Sequence, residues 1–140
     1  MAIPTRRARL EHAAKHCPLW NQGDREAWVA SWRTIADGPL YMHDPVGTEL
    51  KHGPNAADYM GHTFDLFQRQ LNMQMLTVKV NGNEMAWVIE SRFGKLPPGL
   101  SIETFRWEPD GALHVKTYYD MPASVGENDD PYAHLFAKVK

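Results

Sequence analysis

The stretch Tyr41–Gly53, with the sequence YMHDPVGTELKHG, sets the interpretation of the rest of the chain. Asp44 follows a short apolar run and precedes Pro45, which fixes its own φ and favours extended backbone at the residue before it. The pattern predicts that Asp44 lies at the end of a strand, with the direction of its carboxylate set by the backbone. Such a carboxylate is a candidate general base. The alternative is that Asp44 and Gly47 only shape a turn.

Composition favours one ordinary globular domain over residues 1–140. Apolar residues make up 43% of the chain, charged residues 23%, and the net charge is −2. No basic run stands out, which argues against nucleic acid as a partner, and no apolar run approaches the length of a membrane span. Nor is the arginine-rich N-terminus followed by the apolar run of a signal peptide. We therefore expect a cytoplasmic protein with neither a nucleic-acid nor a membrane partner.

Capping residues and apolar spacing predict three helices in the first half of the chain. Thr5 begins a helix over residues 5–20, in which Pro18 is expected to cause a kink or an early end near His16. Asp24 caps a second helix that ends by the Asp-Gly-Pro run before residue 40. Asn55 caps a third helix that runs to about residue 70.

The second half of the chain alternates with the period of strands. Two short strands, residues 40–43 and 49–52, flank the turn after Asp44. Four long strands follow, near residues 71–80, 85–93, 100–108 and 112–120. Each of the three connections between them carries turn residues. This order predicts an α+β fold: a conical barrel of a curved antiparallel sheet, about six strands, packed with three N-terminal helices. Residues 121–140 are predicted to form a polar tail that ends in a short helix.

Three motifs resemble the ketosteroid isomerase-like branch of the NTF2-like, SnoaL-like superfamily. They are the Asn-x-Gly-Asp turn ending at Asp24, the Asp-Pro-Val-Gly-x-Glu-x-Lys-x-Gly stretch beginning at Asp44, and the Ile-x-x-Phe-Arg-aromatic strand over residues 102–107. The resemblance covers roughly residues 8–120. It implies an NTF2-like cone with a deep apolar pocket and no cofactor.

In those isomerases, an Asp base moves a proton between two carbons while a Tyr and a protonated Asp donate hydrogen bonds to the dienolate oxygen. In that enzyme the surroundings of the second Asp keep it protonated, so that it can donate a hydrogen bond. By position the base matches Asp44, the protonated acid falls on Glu103 and the tyrosine falls on His16, so two of the three side chains differ. For Glu103 the alternatives are exposure to solvent or an ion pair, for instance with Lys116. For His16 the alternative is a partly exposed residue at the end of the first helix.

Further residues are expected to bind substrate, with plain core packing as the alternative. Trp32 matches an aromatic pocket position of the family, and strand alternation places several others beside it. For the last strand, the expected register points Lys116, Tyr118 and Asp120 inward, and a slip of one residue would point Val115, Thr117 and Tyr119 inward instead. The predicted substrate-binding residues are Trp32, Trp87, Ile89, Phe93, Phe105 and Tyr118.

The resemblance implies isomerisation of a small apolar carbonyl compound, such as a steroid, through an enolate. Two alternatives stay open: a non-catalytic protein that binds a small ligand, and a SnoaL-type cyclase or dehydratase. A homodimer formed through the outer sheet face is expected from the resemblance. A metal site is not expected, because there is one cysteine and because His43 and Asp44, adjacent in a strand, face opposite sides of it.

Overall fold

The computed structural model describes residues 2–119, so the predicted tail and Asp120 lie outside the described residues. Within that range it contains three helices and six strands. This confirms the predicted α+β architecture. The elements are α1 (Arg6–Gln22), α2 (Arg25–Arg33), β1 (Leu40–His43), β2 (Lys51–Gly53), α3 (Ala56–Phe67), β3 (Leu71–Asn81), β4 (Glu84–Phe93), β5 (Gly99–Trp107) and β6 (Leu113–Tyr118).

The three predicted N-caps are confirmed. The side chains of Thr5, Asp24 and Asn55 each accept a hydrogen bond from a backbone N–H in the first turn of the following helix. A side-chain acceptor here satisfies a donor that has no partner within the helix, and replacing it costs about 1 kcal/mol.

An early end of α1 near His16 is wrong, because the helix continues through Pro18 to Gln22. Contacts with β3 hold its last turn. Trp20 Nε1 donates to the carbonyl oxygen of Leu71 at 2.8 Å, and the Asn21 side chain bonds both the N–H and the carbonyl of Met73. Tertiary hydrogen bonds therefore offset the donor that the proline lacks.

The strands form one curved, unclosed sheet in the order β2-β1-β6-β5-β4-β3. The four long strands are antiparallel neighbours, as predicted. The sheet is mixed, however, because β1 pairs with β6 in parallel. The β3–β4 register shifts between Met75 and Thr77, and such a bulge increases local twist and bends the strand.

The expected register of the last strand is also wrong. The structure has the alternative register, which is shifted by one residue. Val115 and Thr117 are buried on the concave face, whereas Lys116 and Tyr118 are exposed. Thr117 lies opposite Glu103 in the β5–β6 pairing. With this register the charged Lys116 faces solvent, and a threonine able to satisfy the Glu103 carboxyl takes the inward position.

All five tryptophans are buried, each at most 2% exposed. An indole of this size contributes roughly 5 kcal/mol of apolar burial. Four of the five N–H groups also donate a hydrogen bond to another part of the fold, and these bonds fix how the elements pack. The pairs are Trp20 with Leu71, Trp28 with His16, Trp87 with Glu103 and Trp107 with Ile35.

The outer sheet face carries exposed apolar side chains, including Ile102 and Tyr118, which are partners across β5 and β6. A homodimer through this face stays a prediction. Within residues 2–119, none of the helices has the length and apolar character needed to cross a membrane.

Replacing Trp107 with Phe should destabilise the fold by about 1–3 kcal/mol. Trp107 Nε1 donates to the carbonyl oxygen of Ile35 at 2.8 Å in a buried setting, and the substitution leaves that acceptor unpaired. Urea unfolding measures the change. Leu100→Ala is the control, because Leu100 is 59% exposed and should change stability by less than about 0.5 kcal/mol. Equal effects of the two substitutions would contradict a stabilising role of the hydrogen bond from Trp107 to Ile35.

Candidate active site

A cavity of about 550 Å³ lies between the concave face of the sheet and the three helices. Its walls are mainly aromatic and aliphatic, and a few polar side chains reach into it. This is the composition typical of a site for a small apolar ligand. The lining includes Trp20, Trp28, Trp32, Met42, Met60, Phe67, Met73, Ile89 and Phe93, with the polar groups His16, Asp44, Thr63, Ser91, Ser101, Glu103, Thr117 and Tyr119.

The Glu103 carboxyl is held on both oxygens. Trp87 Nε1 donates to Oε1 at 3.0 Å, and Thr117 Oγ1 donates to Oε2 at 3.0 Å. The two donors come from β4 and β6, the strands on either side of β5. Neighbouring strands therefore aim this carboxyl at the cavity, and the structure does not pair it with Lys116.

Burial raises the pKa of Glu103, and its hydrogen bonds with Trp87 and Thr117 oppose that shift without cancelling it. Desolvation penalises the charged carboxylate more than these two neutral donors stabilise it. The environment therefore favours the protonated acid, which can donate a hydrogen bond.

Asp44 follows the last residue of β1, in a loop held by several hydrogen bonds. Thr48 donates to the carbonyl oxygen of Pro45 through both its N–H (3.1 Å) and its hydroxyl (2.7 Å). The buried Lys51 ammonium donates to Thr48 Oγ1 at 3.2 Å and to the Glu49 carbonyl at 3.0 Å. The Asp44–Pro45 peptide bond is cis. These contacts fix the loop that carries the half-buried Asp44 side chain.

The Asp44 loop is also joined to the strand beside Glu103. The N–H of Val46 donates to the backbone carbonyl of Thr117 at 2.8 Å, in line with the parallel pairing of β1 and β6. Thr117 thus contacts the Asp44 loop through its backbone and Glu103 through its side chain. Both carboxyl groups line the same cavity.

His16 lies inside α1, is 4% exposed, and lines the cavity. Burial, and then the nearby His12, hold the pKa of His16 well below 6.5, so its ring is neutral at physiological pH. Burial likewise lowers the pKa of His12 to about 3. The two rings pack against Trp32 and Trp87. His16 Nδ1 has no hydrogen-bond partner among the described residues.

The predicted site residues fall in three places. Asp44, Glu103 and His16 line the cavity, as do Trp32, Ile89 and Phe93. Trp87 and Phe105 lie behind its wall: Trp87 bonds Glu103, and Phe105 packs on Trp87 at 4.6 Å between ring centroids. Tyr118 lies on the outer face, 42% exposed, because of the corrected register of β6.

Several cavity residues escaped the sequence reasoning. Trp28 precedes Trp32 by one helical turn in α2, so its place on the same face was available as a signal, and Trp20 lies in the last turn of the preceding helix, α1. Thr117 and Tyr119 belong to the alternative register of the last strand. Leu96 and Pro97 come from the β4–β5 connection and Leu100 from the start of β5, and no local pattern indicates that this part of the chain folds over a cavity.

Between residues 2 and 119, no three His, Cys, Asp or Glu side chains are placed to hold a metal ion. The polar groups of the cavity consist of carboxyl, imidazole and hydroxyl groups, which suit acid–base chemistry on an organic ligand.

No protein-family model matches the sequence, and no curated protein matches it. Solved structures do match. SalBIII, described as an epoxide hydrolase/cyclase-like enzyme in pyran ring formation in the polyether salinomycin, is 18% identical with a TM-score of 0.59, over 81% of this chain and 91% of that one. An NTF2-like protein of unknown function from Cytophaga hutchinsonii is 12% identical with a TM-score of 0.52, over 86% and 93%.

A third similar structure is that of a protein from Jannaschia sp. described as a SnoaL-like polyketide cyclase. It is 16% identical, with a TM-score of 0.50 over 79% of this chain and 86% of that one. At this level of identity, the likeness concerns the arrangement of helices and strands rather than the chemistry. The chain therefore has the fold of the NTF2-like, SnoaL-like superfamily.

Proposed function

We propose that the protein binds a small apolar carbonyl compound, such as a steroid, and transfers a proton on it through an enolate. The observation that carries this proposal is that Asp44 and the half-buried Glu103, whose pKa is raised by desolvation, line one apolar cavity. A base and a neutral acid beside one ligand are the two groups that enolisation requires.

Asp44 is the proposed base. It takes a proton from the carbon next to the carbonyl, the C–H electron pair forms a C=C bond, and the carbonyl π pair moves to oxygen. Returning the proton to a different carbon of the enolate completes an isomerisation. The hydrogen-bonded loop around Asp44 supports this role, because a base is effective only when it is held close to its carbon.

Glu103 is the proposed donor to the developing oxyanion, and the neutral His16 ring is a second donor. His16 is buried and Glu103 is half-buried in an apolar wall, where a hydrogen bond to a developing charge is stronger than in water. Proton transfer between carbons needs no further reactant, so the chemistry is complete with the side chains of this chain.

A second candidate is ring closure or dehydration by the same acid–base pair. The cyclase descriptions of SalBIII and of the Jannaschia protein favour it. In that case Asp44 and Glu103 keep their roles and the substrate differs. The third possibility, binding without catalysis, is favoured by the replacement of the family tyrosine with His16.

Asp44→Asn should lower the rate of enolisation at least about 100-fold, because an amide cannot accept the proton. The assay is exchange of α-protons for deuterium in cyclic ketones, together with the shift of 3-cyclohexenone to its conjugated isomer, which absorbs in the ultraviolet. Asp58→Asn, an exposed aspartate on α3, is the matched control. An Asp44→Asn variant with the wild-type rate would contradict the proposal.

Glu103→Gln should stabilise the protein relative to wild type increasingly as pH rises above 4.5, the ordinary pKa of the group. The pKa of Glu103 is higher in the folded protein than in the unfolded chain, so above pH 4.5 the unfolded chain loses this proton first. Between these two pKa values the wild type loses stability as pH rises, by up to about 1.4 kcal/mol per pH unit. The glutamine side chain of the variant does not titrate. Urea unfolding from pH 4 to 8 measures the difference, and a difference independent of pH would show that Glu103 ionises normally.

A further inference from the structure

Thr117 occupies the junction between the two groups of the proposed site. Its hydroxyl bonds Glu103 Oε2 at 3.0 Å, its carbonyl accepts the N–H of Val46 at 2.8 Å, and its side chain lines the cavity while being 6% exposed. A threonine hydroxyl has one donor and two acceptor positions. It can therefore serve Glu103 and a ligand at the same time.

Trp87 determines which oxygen of Glu103 carries the proton. An indole N–H can only donate, so Oε1, 3.0 Å from Trp87 Nε1, acts as an acceptor whether or not Glu103 is protonated. The carbonyl oxygen of a neutral carboxyl is its better acceptor. A neutral Glu103 therefore carries its proton on Oε2 and donates it to Thr117 Oγ1, whereas the charged carboxylate accepts from that hydroxyl.

We propose that Thr117 is a further catalytic residue, which accepts the Oε2–H hydrogen bond of neutral Glu103 and turns its own O–H toward the oxygen of the bound ligand. This inference rests on the proposed function. It deepens it by adding a donor where the family tyrosine is replaced by His16. Trp87 is then a positioning residue that acts through Glu103.

The proton balance of this relay is simple. Asp44 receives the proton from carbon, and the oxygen of the ligand gains negative charge. Thr117 donates a hydrogen bond to that oxygen while receiving one from Glu103, and neither residue loses its proton. Hydrogen bonds in such a chain polarise and strengthen one another.

Binding of 2-naphthol tests this relay. Naphthol has a flat apolar ring and an acidic hydroxyl, like an enol, but no sp³ carbon from which Asp44 could take a proton. Thr117→Val, which keeps the shape and removes the hydroxyl, should raise the dissociation constant about tenfold. Thr117→Ser, which keeps the hydroxyl, should stay within about threefold of wild type. Naphthol fluorescence measures both.

Substitutions at Glu103 show whether Thr117 acts together with Glu103 or contacts the ligand independently of it. In Glu103→Gln, the amide oxygen can accept from Trp87 and the amide nitrogen can donate to Thr117, so Thr117→Val should still cost about tenfold. In Glu103→Met, no donor remains behind Thr117, and Thr117→Val should cost less than about threefold. Thermal unfolding confirms that each variant is folded, and Thr117→Ala provides the same comparison independently of Thr117→Val.

Four outcomes overturn the inference. They are wild-type affinity in Thr117→Val, equal losses in the Val and Ser variants, a tenfold loss that persists in the Glu103→Met background, and no binding of naphthol to the wild-type protein. Failure of the proposed proton transfer is recognised separately. In that case Asp44→Asn leaves α-proton exchange unchanged, while the naphthol affinities still depend on Thr117 and Glu103.

Discussion

A buried indole needs an acceptor for its N–H, and this requirement shapes the whole fold. Five tryptophans are buried, and four of them donate to a neighbouring element. These bonds join α1 to β3, α2 to α1, β4 to β5, and β5 to the segment after α2. The fifth, Trp32, lines the cavity, and its Nε1 is buried with no partner among the described residues.

One of these indole bonds ends on a carboxyl group, and it connects stability with chemistry. Trp87 and Thr117 hold Glu103 in an apolar wall where its charged form is costly. A well-packed apolar residue would serve folding as well or better. A carboxyl group kept there is better explained by a ligand than by stability.

The helix caps and the four long strands were predictable because they depend on local chemistry: an acceptor at Thr5, Asp24 or Asn55, and alternation along each strand. Continuation through Pro18 was not, since it depends on hydrogen bonds to β3. The parallel pairing of β1 with β6 was not, since no hairpin joins them.

The same distinction applies to the site. The family resemblance pointed to Glu103, which lines the cavity, but the register of β6 was open by one residue, and this choice exchanged Tyr118 for Thr117. The motif around Asp44 identified the loop that lines the cavity. The proximity of that loop to Thr117 depends on strands far apart in sequence and could be seen only in three dimensions.

Because one residue, Thr117, contacts both the Asp44 loop and Glu103, the sheet strand β6 ties these two parts of the cavity together. Most of the apolar wall comes instead from the helices and the β4–β5 loop. Substitutions on α2 and α3 can therefore reshape the cavity for ligands of different size while the two carboxyl groups keep their separation. For the proposed chemistry, the size of the ligand and the transfer of the proton would then depend on different parts of the chain, which makes this cavity a favourable starting point for engineering.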